Sequence, residues 1–383
     1  MLNPMPTALE GWPMGERALE NSTTIQAVVP PPRPIVLANN ESPWGPSPAA
    51  CRALLATADD LQSYPAISSL PLRERLAAAH GVSAAEICVG AGSTALIYQI
   101  LLALQGAEPG EVWAPAHTFM VYGWAAANAR LRYREVPSPH WVPDLDALAS
   151  AVGPATRCVC LVNPNNPTGA LIPEADLVRF LEQVPADLPV IVDEAYAEYV
   201  EGPAPNGVAL RARFANLLIL RTFSKAYGLA AARVGYVIAD AARIEQIERR
   251  CPPFSVSAPG QAAALAALDD PRHLRHTLER TWAERRRLTE ALQTRGLEVL
   301  PSQGNFLCVE FGAQAAALNS ALAARGIELR GLANYQLPGH LRITVGRPEQ
   351  NDALLAALDI VRPPRRTSVA GARSCWRRPV PES

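Results

Sequence analysis

Thirty-five basic residues of this 383-residue chain include a single lysine, Lys225; every other cation is an arginine. A guanidinium stays protonated, whereas an amine can lose its proton in a desolvated site and attack a carbonyl. Lys225 lies in RTFSKAYGLAAARVGY (221–236), just past a hydrophobic run, with hydroxyls at Thr222 and Ser224 and Arg233 eight residues on. An amine placed there can form an imine with a carbonyl cofactor, and Ser224 and Arg233 can hold an anionic group such as a phosphate. PVIVDEAYAEY (189–199) ends an apolar run in a carboxylate pair and a tyrosine. Asp193 could set its charge against a buried base; on its own it reads equally as a helix cap. NPNNPTG (163–169) directly follows CVCLV, and GAGSTALI (90–97) is a glycine turn opening a helix at Ser93 and Thr94. The first can be only a turn, while the second offers backbone N–H groups and a positive dipole end to a phosphate.

These residues need a frame that brings them to one place. The strand candidates are EICVG (86–90), EVWAP (111–115), CVCLV (158–162), PVIVDE (189–194), LLILRT (217–222) and RVGYVIA (233–239). Amphipathic stretches such as 94–105 and 174–183 lie between them. Strands alternating with helices predict an α/β fold with a mostly parallel, helix-covered sheet, whose C-terminal strand edge is where ligands sit. A long Arg-rich helix is expected at 274–295, its charge forming a solvated face. FLCVEF, an Ala-rich run at 313–325, IELR, LRITVG and 351–360 then predict a second, smaller α/β domain. The expected divisions are an irregular arm at 1–33, a segment at 34–63 joining the small domain, a large domain at 64–270, the small domain at 271–361 and a basic, disordered tail at 362–383. That tail carries six arginines against one glutamate.

With 49% hydrophobic and 19% charged residues and a net charge of -1, the chain is neither a disordered polyampholyte nor a polycation that coats nucleic acid. The seven cysteines form no CxxC pair and mostly sit in apolar runs, as reduced thiols do; the six histidines show no metal-ligand spacing, so no metal site is expected. MLNPMPTALEGW has no basic region followed by an apolar one, and no apolar run approaches the ~18 residues of a membrane span, so no membrane partner and a cytoplasmic location are expected.

NPNNPTG, DEAY and SKAYGLAAARVGY, in this order and spacing, resemble the class I and II aminotransferases, pyridoxal 5'-phosphate enzymes of fold type I. ANNESPWGPSP (38–48), Tyr64-Pro65, PSQGNFLCVEF (301–311) and LRITVGRPEQN (341–351) resemble the histidinol-phosphate aminotransferase family within that class. The resemblance implies a large domain built on a seven-stranded type of sheet, a smaller C-terminal domain and a homodimer with shared active sites. It makes Lys225 the imine lysine and Asp193 the partner of the cofactor's pyridinium. Asn166 and Tyr196 would bond the phenolic oxygen, and Phe119 would stack on the ring, with Tyr122 as second candidate. Ser93, Thr94, Ser224 and Arg233 would grip the phosphate, joined by Tyr64 of the neighbouring subunit. Arg342, assisted by Arg330, would bind the anionic group of the substrate, near Asn166. Freed from its imine, Lys225 would move the substrate's α-proton, which implies ping-pong exchange between an amino donor and a 2-oxo acid.

Some of the family's substrate positions differ. The tyrosine usual upstream of the NExPxGP segment is missing from IQAVVPPPRP, Ser63 replaces the usual arginine before Tyr64-Pro65, and Thr94 and Ala95 replace acidic residues. The cofactor set is intact while part of the substrate set is altered, and the resemblance as a whole favours histidinol-phosphate:2-oxoglutarate transamination, by a divergent member of that family. It leaves two alternatives, a paralogue acting on an aromatic or other amino acid and a threonine-phosphate decarboxylase. A non-catalytic, cofactor-binding regulator is disfavoured, because no helix-turn-helix pattern precedes the fold.

Overall fold

Six apolar runs and one charged one hydrogen-bond into the sheet that carries the chemistry. The computed structural model describes residues 34–362, so the expected arm at 1–33 and nearly all of the basic tail lie outside the described residues. Its strands in chain order are β1 (Ile35–Val36), β2 (Ile87–Gly90), β3 (Glu111–Pro115), β4 (Arg132–Val136), β5 (Thr156–Val162), β6 (Val190–Asp193), β7 (Leu217–Thr222), β8 (Gly235–Ile238), β9 (Glu298–Val299), β10 (Phe306–Glu310), β11 (Ile327–Glu328), β12 (Arg330–Gly331) and β13 (His340–Thr344). Seven of them form one sheet in the order β2-β8-β7-β6-β5-β3-β4. It is parallel apart from β8, which runs antiparallel to both β7 and β2.

The runs are apolar because helices cover both faces. Val190, Val192, Leu217 and Ile219 point into one buried cluster, while Ile191, Leu218 and Leu220 point into the other. Continuous hydrophobicity is what a parallel strand buried on both sides requires. β4 escaped the sequence reading because RYREV is an edge strand with mostly exposed side chains and no apolar run.

A four-stranded antiparallel sheet, β12-β13-β10-β9, follows in the last third of the described chain. IELR, expected as one strand, splits: Ile327–Glu328 pairs with β1, and Arg330–Gly331 pairs with β13. The N-terminal segment serves both regions. β1 lies on β11 and Thr344 donates its backbone N–H to Leu37, whereas helix Pro48–Leu55 packs on helix Ala258–Leu268 near the large sheet.

The long helix spans Pro271–Thr294, and its arginines do not all form a solvated face. Arg285 is buried, donating to the carbonyls of Gly304 (2.9 Å) and Tyr199 (3.3 Å) and pairing with Glu201 at 3.4 Å. The helix crosses two carbonyl ends here: the five-donor guanidinium serves that of Gly304 and shares that of Tyr199 with Trp282 Nε1 (2.9 Å). Of the cysteines in the described residues, Cys88, Cys158, Cys160 and Cys308 are buried, Cys251 is half-buried and Cys51 is exposed; all six are free thiols. No helix among the described residues is long and apolar enough to cross a membrane.

Candidate active site

Strand register alone brings three of the motifs to one edge. Val162 pairs with Asp193, and Asp193 pairs with Leu220, so β5 and β6 end level and β7 runs two residues further to Thr222. The loops that follow carry Asn166, Tyr196 and Lys225 from this shared C-terminal edge, the usual ligand position of an open α/β sheet.

Each motif divides its polar residues between structure and function. In NPNNPTG, whose two Asn-Pro bonds are cis, Asn163 closes the loop by giving its side-chain amide to the Ile172 carbonyl (3.0 Å) and accepting the Ile172 N–H (2.8 Å). Asn165 donates to Thr168 Oγ1 (2.9 Å) and the His117 carbonyl (3.0 Å), and accepts from Thr118 Oγ1 (3.1 Å). Those bonds fix the segment bearing Phe119 against the loop and leave Asn166 as the residue that faces Arg342. In the carboxylate pair, Glu194 is taken by Arg221, through Nε (2.8 Å) and Nη2 (2.6 Å), and by the Gly207 N–H. Asp193 is the carboxylate left for a ligand. It is 2% exposed and accepts from the Ala195 N–H (3.1 Å) and the Tyr122 hydroxyl (3.0 Å). Burial raises its pKa to about 6, against the pull of those two bonds.

Lys225 follows Thr222 and Ser224, whose hydroxyls bond each other at 2.9 Å. Its Nζ donates to the Asn39 carbonyl at 2.9 Å and lies 5.8 Å from the centre of the Tyr196 ring. Burial, then the nearby Arg342 charge, lowers the amine's pKa to about 7. The only lysine of the chain is therefore poised to be neutral near physiological pH. Gly228 makes its turn possible: φ is +69°, and a Cβ there would meet the Gly45 carbonyl oxygen at 2.3 Å.

The glycine turn forms a cradle. Helix Ser93–Ala103 starts at Gly92 with no side-chain cap, so its first N–H groups remain available to an anion. Gly92 has φ +84°, and a Cβ on it would lie 2.3 Å from Arg233 Nη2; a Cβ on Gly235 would lie 2.4 Å from the Ser93 backbone nitrogen. Arg233, itself in the left-handed region at φ 53°, reaches the Ser224 hydroxyl at 3.4 Å and the Ala230 carbonyl at 3.0 Å. Ser93 and Thr94 are half-buried at the helix start.

From the smaller sheet, Arg342 on β13 enters the same region. It is buried, donates to Asn166 Oδ1 and, at 2.6 Å, to the Ala38 carbonyl, and sits 5.6 Å from the Phe306 ring centre. Its Nε is buried without a partner among the described residues. Arg330 is its cross-strand neighbour on β12 and is half-buried.

Tyr64, whose expected contact is with a neighbouring subunit, lies at the surface, and Tyr122 stands elsewhere than its expected stacking position. Tyr64 is 81% exposed and stacks on Phe254 at 4.6 Å, with no described contact to the cluster. Tyr122 is not placed as a stacking ring: it is fully buried, its hydroxyl turned onto Asp193, with half-buried Phe119 edge-on to it at 6.5 Å. The Tyr122 hydroxyl was missed because YGW gives no sign of a partner 71 residues away. Ala38, Asn39 and Asn40 were read only as part of a resemblance, yet each touches the cluster; Asn40, at φ 55°, donates from Nδ2 to the Tyr196 hydroxyl at 2.9 Å. An Asn-Asn pair able to take a left-handed turn was the available signal.

Residues 32–358 match the model of the aminotransferase class I and II family. This chain belongs to that family. It is 41% identical over 331 residues to histidinol-phosphate aminotransferase 2 of Ralstonia nicotianae, covering 85% of this chain and 88% of that one. It is 38% identical over 349 residues to the protein of the same name from Pseudomonas aeruginosa, covering 91% and 93%. Among solved structures it resembles histidinol-phosphate aminotransferase from Sinorhizobium meliloti in complex with pyridoxal-5'-phosphate, with a TM-score of 0.80 and 31% identity over 85% of this chain and 90% of that one. The fold is accordingly that of the fold-type I aminotransferases.

Proposed function

We propose that this chain is a pyridoxal 5'-phosphate-dependent aminotransferase that exchanges the amino group of histidinol phosphate with 2-oxoglutarate, a step of histidine biosynthesis. The observation that carries this reading is the meeting of a neutral-poised amine, a buried carboxylate and an anion cradle at one strand edge, with a buried arginine facing them. The relatives' names supply the substrate.

The residues fit the cofactor. Gly92, Ser93, Thr94, Ser224 and Arg233 gather N–H, hydroxyl and guanidinium donors suited to a phosphate, and the missing Cβ at Gly92 lets the Arg233 guanidinium lie against the helix start. Asp193 would face the pyridine nitrogen, Asn166 and Tyr196 the phenolic oxygen, and Phe119 the ring. Bound there, the cofactor would supply an electron sink for the charge left when an α-proton departs. The Nζ of Lys225 would hold the cofactor through its carbonyl carbon and, when free, would take the proton from the substrate's α-carbon. An amine with a pKa of about 7 can both accept and return that proton. Arg342, with Nε unengaged, holds the phosphate of the donor and the carboxylate of the oxo acid in turn, with Arg330 beside it.

We further read the molecule as a homodimer in the cytoplasm. Leu61, Tyr64 and Ile67 are each at least 65% exposed, an apolar strip suited to a second copy, through which Tyr64 would reach the partner's phosphate site. Free thiols suit a reducing compartment. Residues 64–270 would form the large domain and 271–361, with part of 34–63, the small one.

The test is steady-state turnover of the cofactor-loaded protein with histidinol phosphate and 2-oxoglutarate. Glutamate formation with parallel-line, ping-pong kinetics supports the reading. Turnover with phenylalanine instead, or CO2 release from threonine phosphate without an oxo acid, would replace it.

A further inference from the structure

Resting on the cofactor reading above, we propose that Tyr122 is a positioning residue: its hydroxyl holds the Asp193 carboxylate ionised and aimed, and thereby sets how tightly the chain retains the pyridine ring of its cofactor. The phenol is fully buried on helix Val121–Asn128, in the apolar cluster that also holds Ile97, Ala114 and Val162. Its oxygen lies 3.0 Å from Asp193 Oδ2, while Oδ1 takes the Ala195 N–H at 3.1 Å. Each carboxylate oxygen thus holds one fixed donor, which fixes the plane of the carboxyl and leaves further lone pairs for a ligand.

The charges around Asp193 make that donor matter. The titratable groups facing it are Tyr122, Tyr196, Cys160, Glu194 and Lys225. Glu194 opposes its ionisation. Lys225 is the one cation in this set, and burial makes it ready to lose its charge. The tyrosine, whose own ionisation is pushed well up by burial and by Asp193, remains a proton donor throughout the working range. Burial already brings Asp193 to about pH 6, so loss of the phenolic bond moves its titration further into the neutral range. A neutral carboxyl cannot hold a pyridine nitrogen protonated.

The experiment measures binding of pyridoxamine 5'-phosphate to the apoprotein from pH 5.5 to 8.5; this ligand has no carbonyl to condense with Lys225. Tyr122→Phe keeps the ring and removes only the oxygen. It is expected to weaken binding about tenfold at pH 7, the size of a hydrogen bond to a charged group. Its acid-side loss of affinity should begin about one pH unit higher than in the unmutated protein. Tyr133→Phe, which removes a buried hydroxyl with no partner among the described residues, should change neither quantity. In an Asp193→Asn background, Tyr122→Phe should have little further effect, because the tyrosine acts through the carboxylate. An unchanged affinity and pH profile in Tyr122→Phe would overturn the inference while leaving the cofactor reading intact. So would an equal loss in the Asp193→Asn background, since the effect would then be packing alone. An unmutated apoprotein that binds neither pyridoxamine phosphate nor pyridoxal phosphate would overturn both.

Discussion

Because Lys225 is the only lysine, its chemistry can be followed without background from other side-chain amines. The perturbation is Lys225→Arg, which keeps the charge but removes the nucleophile. An ordinary lysine titrates at 10.5, whereas burial and Arg342 bring this one to about 7. At pH 8 about nine-tenths of such a group is neutral, against roughly 0.3% of an ordinary lysine, a gain of about 300-fold in reactive amine. The sign follows: the lowered pKa favours the neutral form, so reactivity is present above about pH 7 and lost as pH falls through it. The assay adds pyridoxal phosphate to apoprotein, fixes the product with borohydride and maps the modified peptide by mass spectrometry across pH 5.5–9.5. One modified side chain is expected, Lys225, with half-maximal initial rate near pH 7, and none in Lys225→Arg. A rate still rising steeply above pH 9, or equal labelling of the variant at its N-terminus, would refute the reasoning.

Three other substitutions probe separate parts of the structure. Arg342→Ala removes the guanidinium that bonds Asn166 and Ala38, and should lower kcat/KM for both substrates by about 100-fold or more, chiefly through KM, in steady-state assays. Gly92→Ala places a methyl on the Arg233 guanidinium and strains a residue at φ +84°; it should raise the cofactor dissociation constant about tenfold at a cost of about 1–2 kcal/mol in stability, measured by fluorescence titration and urea melts. Arg285→Ala leaves the buried Gly304 carbonyl without its guanidinium donor and weakens the link to Tyr199, and should destabilise the protein by about 3 kcal/mol, seen as a lower urea midpoint.

The sequence revealed the sheet because parallel strands buried on both faces must be continuous apolar runs, and it revealed the edge because the polar motifs begin where those runs stop. LLILRT and EVWAP match their strands residue for residue. What it concealed depends on contacts between distant segments. Nothing local separates Asp193 from Glu194; the choice is made by Arg221, which occupies Glu194. Nothing local separates Asn166 from Asn163 and Asn165, which the fold spends on closing their own loop and holding the Phe119 segment. Arg285 hid among exposed arginines because helical charge patterning does not tell which face crosses loose carbonyls. Asn40 and Tyr122 reach the site across 156 and 71 residues, respectively, to Tyr196 and Asp193.

The most direct measurement is a single half-reaction. Protein loaded with pyridoxal phosphate is mixed with histidinol phosphate alone, and its visible spectrum is followed beside separate mixtures with glutamate, phenylalanine and threonine phosphate. Conversion to the pyridoxamine form is expected with histidinol phosphate and with glutamate, reversed by 2-oxoglutarate. A spectrum unmoved by histidinol phosphate but converted by another donor would contradict it.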